Sequence, residues 1–570
     1  MNIAVTMRAG GPISSSLGGV NNPVATTILE RFDELKMERD ARAPELEAVA
    51  KLYRPQRQGF RASGAKRDDY NLHQMFNSTT LQSSTAFAAA VYQAINNTAN
   101  DWFQATTFDQ DLANYGPVKH WLARTSRRML LSFSAGLSNF ASSSVPWCAD
   151  TAILGTGAMI CDEGRGRRRI VDTCLSPADF VFGIDAEGEA DELMVERWLT
   201  PKQAADFYGI DALPPTMRER AIKGQNADRA RFIQSWQLNS DWKPRAFGAA
   251  GKPWLSTHVS EEGKTVVSQN GTYEQAFAIP RYDVDGSNPW GHGMGYLNLA
   301  SGRKLQAQER DNLTAGAFAA KPVMGTTGKR AIPEGYEMAP GAYMHGAISH
   351  TGQRLAQPLF TFNGLPITAE MAKQTREEVQ SGWHAQLLTF VGRTGLGHME
   401  VIEIMEERLR AMAPFLGRMQ TEGHRVILER RFGMMFRAGQ FDPIPKELAG
   451  KPLDIRFTSV AAQAAKAQEG LSTARLFQDV AALASVQPSP EAQAEVWDTF
   501  DHDAYVERMA EARGAALDVL RTPDQVAERR AQRAQAAQAQ QMMAMAAQGA
   551  AAAKDGAAAA QMMQPQGAAQ

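Results

Sequence analysis

The stretch from 367 to 436 constrains the fold of this chain more than any other, because its pattern predicts two helices with a break between them. We predict the first helix over about Thr368–Leu388 and the second over about Met399–Phe432. The ten residues between them, 389–398, include three glycines, which adopt backbone angles that other residues resist. Pro414 lies inside the second helix, where its missing donor and its clash with the preceding turn predict a kink.

The second helix carries an apolar stripe. Its apolar residues recur at steps of three and four and therefore share one face: Val401, Met405, Leu409, Met412, Leu416 and Met419. Taken by itself, the pattern is typical of a helical hairpin packed inside a core. The rest of the chain decides whether the glycine-rich break has a further role.

The bulk composition narrows the classes of protein that fit. A chain of 570 residues has room for about four domain-sized units. Its 60 basic and 62 acidic residues give a net charge of -2, whereas a protein that grips nucleic acid along an extended surface has a basic excess. A conduit that lets DNA slide past remains compatible with that balance.

Three features bear on location. The three cysteines, Cys148, Cys161 and Cys174, are sparse for this length and favour a reducing compartment. No apolar run approaches the roughly 18 residues that a membrane helix needs. The first 24 residues show no basic region followed by an apolar core, so we expect no signal peptide.

The local patterns predict a mostly helical chain around a mixed α/β block at 158–282. A threonine cap followed by proline, Thr200-Pro201, marks one helix start clearly. The predicted strands are Ala158–Cys161, Arg169–Val171, Phe180–Ile184, Leu193–Leu199, Phe232–Leu238, Trp254–Val259, Thr265–Ser268 and Gln275–Ile279. The other predicted helices are Thr26–Tyr53, one from Ser78 or Thr79 through Ile95, Pro117–Phe140, Val145–Leu154, Tyr296–Ala320, Ser459–Glu469, Ser472–Ala484, Pro490–Asp498, Ala504–Arg513 and Pro523–Gln540.

Motifs of enzymes are weak or missing. Gly325–Arg330 contains a Gly-Lys pair but lacks the first glycine of a phosphate-binding loop, and Arg330 stands where a Ser or Thr would hold Mg²⁺. The three cysteines are spaced too widely for a zinc site, which clusters its ligands, and favour buried structural thiols. His345 and His350 have no third ligand nearby and fit surface residues. We therefore predict that the chain is not an enzyme and carries no cofactor or metal.

Several stretches resemble the portal, or head-to-tail connector, proteins of short-tailed bacteriophages. The block Pro177–Asp185, then Val195–Ala204 and Phe207–Gly209, is the most specific. The resemblance spans about 25–535 and also rests on Met75–Thr80, Val118–Leu122, Leu154–Met159, Gly392–Gly395, Met399–Ile402, Pro414–Arg418 and Ser459–Gln468. The chain departs from the family at Trp290–Met294, where the family has Tyr-Gly-Arg before a proline, and in an insertion around 211–228.

The resemblance implies an α+β, mainly helical portal fold with wing, stem, clip and crown, assembled as a ring with a central channel. Twelve subunits would form the ring, and the small residues of 296–320 would let its helices pack side by side. The implied segments are a flexible arm 1–24, the wing 25–295, stem helices 296–320 and 367–388 around the clip 321–366, a channel loop 389–398, a kinked channel helix and wing return 399–454, the crown 455–540 and a low-complexity tail 541–570.

The resemblance also implies sites and partners. Arg393, Thr394 and His398 would face DNA in the channel loop, and Pro414 would kink the helix behind it. Lys321, Lys329 and Arg330 would face the clip opening or the terminase, although such a basic cluster is usually a solvated face. The expected partners are other copies of the chain, the major capsid and scaffolding proteins, the large terminase subunit, tail adaptor proteins and the double-stranded DNA that passes through, with no membrane.

The expected location is the portal vertex of the virion, after assembly in the host cytoplasm. There the ring would serve genome packaging and ejection. Another virion structural protein, such as an internal core or tail-adaptor subunit, would share the mixed α/β body and stays as an alternative. A nuclease or hydrolase with dispersed catalytic residues is a third class that the missing motifs disfavour.

Overall fold

A computed structural model describes residues 21–60, 75–96, 102–134, 136–164, 170–286, 288–320, 324–326, 348–354, 356–358, 365–384, 415–457 and 460–487, with short stretches from 489 to 543. These residues belong to two compact units. The first comprises 1–102, 128–441 and 459–461, and the second comprises 103–127, 442–458 and 462–570. The contacts given below each join residues of the same unit.

The longest helix of the first unit, α1 (Pro23–Tyr53), links a sheet to a helical core. Asn22 caps its start by accepting a hydrogen bond from the backbone of Val24, and proline occupies the first helical position. The N-terminal half of α1 packs on one face of the sheet, and its C-terminal half, from Ala43 to Tyr53, enters the helical core. One helix therefore fixes the distance between these two layers.

The sheet is a five-stranded antiparallel meander in the order β4-β5-β6-β7-β8. Its strands are β4 (Phe180–Ile184), β5 (Ala190–Leu199), β6 (Ala230–Leu238), β7 (Trp254–Ser260) and β8 (Thr265–Thr272). Val181, Met194 and Ile233 face α1, because alternate residues of a strand point to opposite faces. Phe232 and Val267 face away, toward α6 (Pro201–Tyr208) and α7 (Pro215–Ile222).

A smaller three-stranded sheet, in the order β3-β2-β9, lies beside the meander. It contains β2 (Ala158–Glu163), β3 (Ile170–Leu175) and β9 (Phe277–Ala278). Aromatic residues from both sheets share one cluster, in which the Trp290 ring lies 5.0 Å from Phe182 and 5.5 Å from Phe180. Trp290 belongs to the segment where the sequence departs from the family pattern, and here it serves the core.

The helical core of the first unit gathers α2 (Thr79–Ile95), α5 (Phe140–Leu154), the short α8 (Met294–Leu297), α9 (Leu299–Ala320) and α10 (Leu365–Gly382). Beyond α9 and before α10, β10 (Met324–Thr326) and β11 (Ala356–Pro358) pair antiparallel. The unit also contains the π-helix Met419–His424, which continues directly into α11 (Arg425–Arg437).

In the second unit, β1 (Phe103–Thr107) pairs antiparallel with β12 (Leu453–Phe457), although 345 residues, 108–452, separate the two strands along the chain. Short α3 (Gln110–Asn114) follows β1, and α12 (Val460–Val486) follows β12. Helix α4 spans Gly116–Ser132.

The α+β class predicted from the sequence is confirmed by this mixture of helices and antiparallel sheets. Several bounds differ from the prediction. Helix α4 ends at Ser132 rather than near Phe140, because Phe140 starts α5 instead. The helices predicted at Ser459–Glu469 and Ser472–Ala484 are one continuous helix, α12, since a single glycine weakens a helix without ending it. Strand β12 lies within the predicted kinked-helix and crown segments, and neither β12 nor β1 was predicted from the sequence.

Candidate functional site

The residues that the sequence singles out as functional lie outside the described residues. This holds for the channel-loop candidates Arg393, Thr394 and His398, for the clip candidates Lys321, Lys329 and Arg330, and for the kink at Pro414. The described elements that flank them are α9, the paired strands β10 and β11, α10 and the π-helix. These elements form the candidate site.

Helices α9 and α10 form an antiparallel hairpin, since their contacts step up along one helix and down along the other. Near the base, the side chain of Asn298 donates to the Gly382 carbonyl over 3.2 Å. Further out, Arg376 pairs with Glu309 at 2.9 Å, and Asn312 donates to the Thr368 carbonyl over 3.4 Å. The hairpin therefore extends away from its base for much of the length of α9, which at 22 residues is about 33 Å.

One carboxylate links the two helices close to the base of the hairpin. Glu378 accepts a hydrogen bond from Ser301 over 2.7 Å and pairs with Lys304 over 3.1 Å. These hydrogen bonds lower the pKa of Glu378. Both charged groups are exposed, so the pair fixes the register of the helices more than it stabilises them.

The base of the hairpin is packed tightly into the helical core. Trp383, just after α10, is fully buried, and its ring lies 5.0 Å from Tyr53 and 5.7 Å from Phe87. The Tyr53 hydroxyl donates to the Asn298 carbonyl over 2.6 Å, and burial raises the pKa of Tyr53 to about 12. A Cβ at Gly302 would lie 2.3 Å from that hydroxyl, so only glycine permits this approach of α9 to α1.

The start of α2 is also attached to α9. Gln306 accepts hydrogen bonds from the backbone N–H groups of Phe76 and Asn77 and donates to the Asn77 carbonyl over 2.7 Å. Asn77 in turn donates to Glu309 over 2.8 Å. The segment Met75–Thr80, quoted above for the family resemblance, thus holds the first third of α9 in place.

Outside its base, the hairpin buries little. Gly302 and Leu305 are the buried residues of α9, while Leu313 and Phe318 are more than half exposed. Met371 of α10 is half exposed as well. A 22-residue helix with so few apolar contacts gains little from tertiary packing in its own chain.

The π-helix Met419–His424 provides a second polar anchor. Glu422 accepts three hydrogen bonds from Arg281, one from its backbone N–H and two from its guanidinium, at 2.9–3.1 Å. Arg281 also donates to the Gly188 carbonyl over 2.6 Å, at the turn between β4 and β5. The end of the predicted channel helix is thereby connected to the tip of one hairpin of the large sheet.

His424, the last residue of the π-helix, is completely buried. Its Nδ1 lies 3.1 Å from the Met419 carbonyl oxygen and its Nε2 lies 2.9 Å from the side chain of Asn96. Aromatic rings surround it, with Trp147 at 5.1 Å and Trp102 at 5.4 Å between centroids. Burial lowers the pKa of His424 to about 4, so the ring is neutral at pH 7.

The next helix carries a buried ion pair. Arg431 of α11 and Asp172 of β3 contact each other with both side chains fully buried. Ser138 joins the pair by donating to Asp172 over 2.7 Å and accepting from Arg431 over 2.9 Å. The guanidinium also lies 3.9 Å from the centre of the Phe133 ring. Such a network fixes α11 against the small sheet.

The chain matches the model of the family described as bacteriophage head to tail connecting protein over residues 25–520. It belongs to this family. Over 520 residues it is 25% identical to the portal protein of Salmonella phage epsilon15, covering 89% of this chain and 90% of that protein. It is also 25% identical to the probable portal protein of Bordetella phage BPP-1 over 516 residues, again covering 89% of the chain and 90% of the relative.

The family resemblance and the portal function predicted from the sequence are confirmed by these matches. The head-to-tail connector match includes both helices of the hairpin and the π-helix. Members of such a family are structural components of the virion rather than enzymes.

Within the part of the chain that the structure describes, no group of His, Cys, Asp and Glu side chains is arranged to hold a metal ion. Among the described helices, none is both long and apolar enough to cross a bilayer. Burial raises the pKa of the Cys148 and Cys161 thiols, as expected for structural cysteines.

The sequence missed the polar anchors of this site. These anchors join residues far apart along the chain. They are the hydrogen bonds between Gln306 and the backbone of Asn77, the Arg281–Glu422 pair and the buried Arg431–Asp172 pair. Arginine and aspartate are usually exposed, so composition favours a surface position for each. The small residues of α9 were the available signal for close packing at Gly302.

Proposed function

We propose that twelve copies of this chain form a closed ring at one vertex of the capsid, with a central channel through which the genome is packaged and later ejected. The connector-family match over 25–520 carries this proposal. The relatives are portal proteins by name, and they match this chain over nine-tenths of their length.

The exposure of the hairpin formed by α9 and α10 is evidence that this hairpin forms the stem of the proposed ring. Leu313 and Phe318 lie in the outer half of α9, where the chain's own residues bury none of its side chains. Neighbouring copies of the same hairpin would cover them, because an apolar surface gains free energy when it leaves water. The ring would close by heterologous contacts, in which each copy uses two different surfaces.

The segments that we propose for the ring follow the family resemblance. The wing corresponds to 25–295, the stem to 296–320 and 367–388, the clip to 321–366 and the crown to 455–540. The paired strands β10 and β11 lie within the proposed clip and continue the hairpin beyond its helices.

The proposed channel loop, 389–398, lies between α10 and the helix that leads into the π-helix. Arg393, Thr394 and His398 would face the passing DNA there. The near-neutral charge of the chain suits a conduit, since strong phosphate binding at many positions would slow sliding.

The partners follow from the position of a head-to-tail connector. Capsid and scaffolding proteins would surround the ring, which would assemble in the host cytoplasm, and the terminase and later the tail adaptors would dock at the clip. If Lys321, Lys329 and Arg330 face the terminase, reversing all three charges should weaken its binding to isolated rings. Unchanged binding of the purified large subunit would contradict that assignment.

Electron microscopy of the purified full-length protein in negative stain tests the ring itself. We expect closed rings with a central hole, and native mass spectrometry should give a mass of twelve chains. A compact monomer at micromolar concentration would overturn the proposal. A closed ring of another copy number would change only the stoichiometry.

A further inference from the structure

One end of the five-stranded sheet carries two unlike surfaces. The register pairs Leu193 with Trp236 and Trp254 with Thr272. The turn between β4 and β5 and the loop between β6 and β7 therefore project from the same end of the sheet. Strand β4 forms one edge of the sheet and β8 the other.

The loop between β6 and β7, residues 239–253, is termed here the aromatic loop. Phe247 at its tip is 100% exposed and Trp242 is half exposed. Leu238 and Tyr273, at the adjoining strand ends, are also more than half exposed. A single exposed apolar residue needs no explanation, but four at one end of a sheet form a patch that a partner is expected to cover.

The aromatic loop is ordered by its own hydrogen bonds. Asn239 donates from its side chain to the carbonyls of Ala249 and Lys252. Trp242 donates from its ring N–H to the Gly251 carbonyl over 3.3 Å. A Cβ at Gly251 would lie 1.8 Å from the Ala246 carbonyl oxygen, so the loop closes on itself tightly. Phe247 is thus presented on a fixed support.

The aromatic loop is basic and leans toward one edge of the sheet. Lys243, Arg245 and Lys252 outnumber its one acid, Asp241. Its turn at 248–251 contacts β8, and the Lys252 ammonium lies 5.7 Å from the centre of the Tyr273 ring. The base of the loop therefore packs toward the β8 side, while Lys243 and Arg245 are exposed to solvent.

The turn between β4 and β5, together with the first two residues of β5, is termed the acidic tip and comprises residues 185–191. It carries four carboxylates, on Asp185, Glu187, Glu189 and Asp191, and no basic residue. Asp185 accepts hydrogen bonds from the backbone N–H groups of Glu187 and Glu189 at 2.9 and 2.8 Å, which fixes the turn. The Arg281 guanidinium holds the tip from below through the Gly188 carbonyl.

We propose that the aromatic loop of one copy docks against the acidic tip of the next copy around the ring. This contact rests on the ring proposed above and assigns one of its heterologous interfaces. The acidic tip lies at the β4 edge of the sheet, whereas the aromatic loop follows an interior strand and its turn packs on β8. The two surfaces are therefore separate patches, as they must be when each copy contacts a neighbour on either side. Their charges are opposite, and a charged rim around an aromatic residue is the usual composition of a specific interface.

Charge reversal tests the contact in the full-length protein. The first variant combines Lys243→Glu with Arg245→Glu, and the second combines Glu187→Lys with Glu189→Lys. Each alone should reduce the fraction of chains in rings at least about tenfold near the assembly midpoint, and the effect should weaken with added salt. Combining both variants in one chain should restore most of the ring fraction.

A matched control reverses charge at the opposite end of the same sheet. Lys202→Glu combined with Lys223→Glu alters exposed residues on α6 and just after α7 and should leave the ring fraction within about twofold of the original. Phe247→Ala should also weaken assembly without changing the thermal midpoint of the monomer, because the side chain makes no contact that folding needs.

Disulfide trapping provides a test without charge. Ala186→Cys in one chain and Ala246→Cys in another place one exposed thiol in each surface. Cys148 and Cys161 are buried, and both chains also carry Cys174→Ser because Cys174 is only partly buried. Mixed under oxidising conditions, the two chains should form a heterodimer. Neither variant by itself should form a disulfide-linked dimer. The result therefore distinguishes a contact between copies from a contact within one chain.

The outcomes distinguish this contact from the ring itself. If the unmodified protein forms no ring, the proposed function fails and this contact fails with it. If rings form, yet neither reversal weakens them and no heterodimer is trapped, only this contact is overturned. If the reversals leave purified rings intact but prevent their incorporation into capsids, the aromatic loop binds a capsid component instead.

Discussion

Arg431 and Asp172 form an ion pair in which both side chains are fully buried, 259 residues apart along the chain. Two charges in such surroundings are stable only together, because each would otherwise lose its hydration without compensation. The position of α11 against β3 therefore requires both partners of the pair, and loss of either one destabilises it.

Removing one partner of this pair should be strongly destabilising. We expect Asp172→Asn to lower the free energy of unfolding by about 3–5 kcal/mol, since it leaves the Arg431 charge buried and unpaired. Urea unfolding of the monomer, followed by tryptophan fluorescence, measures the loss. Glu219→Gln is the control, because its pair with Lys223 is exposed and should contribute less than about 0.5 kcal/mol. A loss below about 1 kcal/mol at Asp172 would mean that the pair is hydrated.

Two glycines of α9 should respond in opposite directions to alanine. Gly302→Ala forces a methyl group toward the Tyr53 hydroxyl and should destabilise the monomer by about 1–3 kcal/mol. Gly316→Ala meets no atom within 4 Å and should stabilise it by about 0.5–1 kcal/mol, because alanine is the better helix former. Thermal midpoints of the two variants check both signs. Equal effects at both positions would refute the close packing at the base of the hairpin.

The buried histidine should make the fold acid-sensitive. Because the pKa of His424 is lowered to about 4 in the folded protein from an ordinary 6.5, the unfolded chain binds a proton more readily. Its contribution to stability is complete above pH 6.5 and is lost as the pH falls toward 4. Between pH 7.5 and 4.5 we expect a loss of roughly 2–3 kcal/mol from this group.

His424→Gln isolates that contribution from the rest of the titration. Glutamine keeps polar atoms near Asn96 and Met419 but does not titrate, so the stability of the variant should fall less steeply with acid. Unfolding free energies at several pH values for both proteins give the difference. Parallel curves would show that His424 is not the acid-sensitive group.

The channel loop prediction concerns function rather than stability. We expect Arg393→Ala to leave ring assembly intact but to impair packaging or retention of DNA, because in the proposed channel loop the Arg393 side chain would contact phosphates at a narrow point. Assembly is checked by electron microscopy and packaged DNA by nuclease protection in particles carrying the variant. Arg229→Ala, at an exposed position of the loop before β6, is the control. Packaged DNA equal to that of the unmodified protein would remove Arg393 from the channel.

Local signals predicted much of the fold. The Thr200-Pro201 start of α6 forms a full capping box with Gln203, and the strands at 180–184 and 193–199 lie within β4 and β5. These signals work because a cap or an alternating pattern is decided by neighbours in the sequence. The family resemblance, read from ordered short motifs, supplied the function.

Contacts between distant residues were beyond such signals. Strand β12 pairs with β1, and although its apolar and polar residues alternate, it is only five residues long and its partner lies far away along the chain, so the pattern was too short to be recognised. Helix α7 falls in the insertion that departs from the family pattern, with Met217 as its one buried residue. The π-helix at Met419–His424 contains Glu422, which pairs with the distant Arg281, and the buried His424, and no local pattern encodes these contacts.

The hairpin of α9 and α10 has the mechanics of a cantilever. Among the described residues, one end of the hairpin is held by tight packing between Trp383, Tyr53 and Gly302. From that end the hairpin projects with exposed sides. A load at the far end of such a beam produces its largest bending moment at the clamp. We infer that strain imposed at the proposed clip would act first on the aromatic ring of Tyr53, at the end of α1 that lies in the helical core.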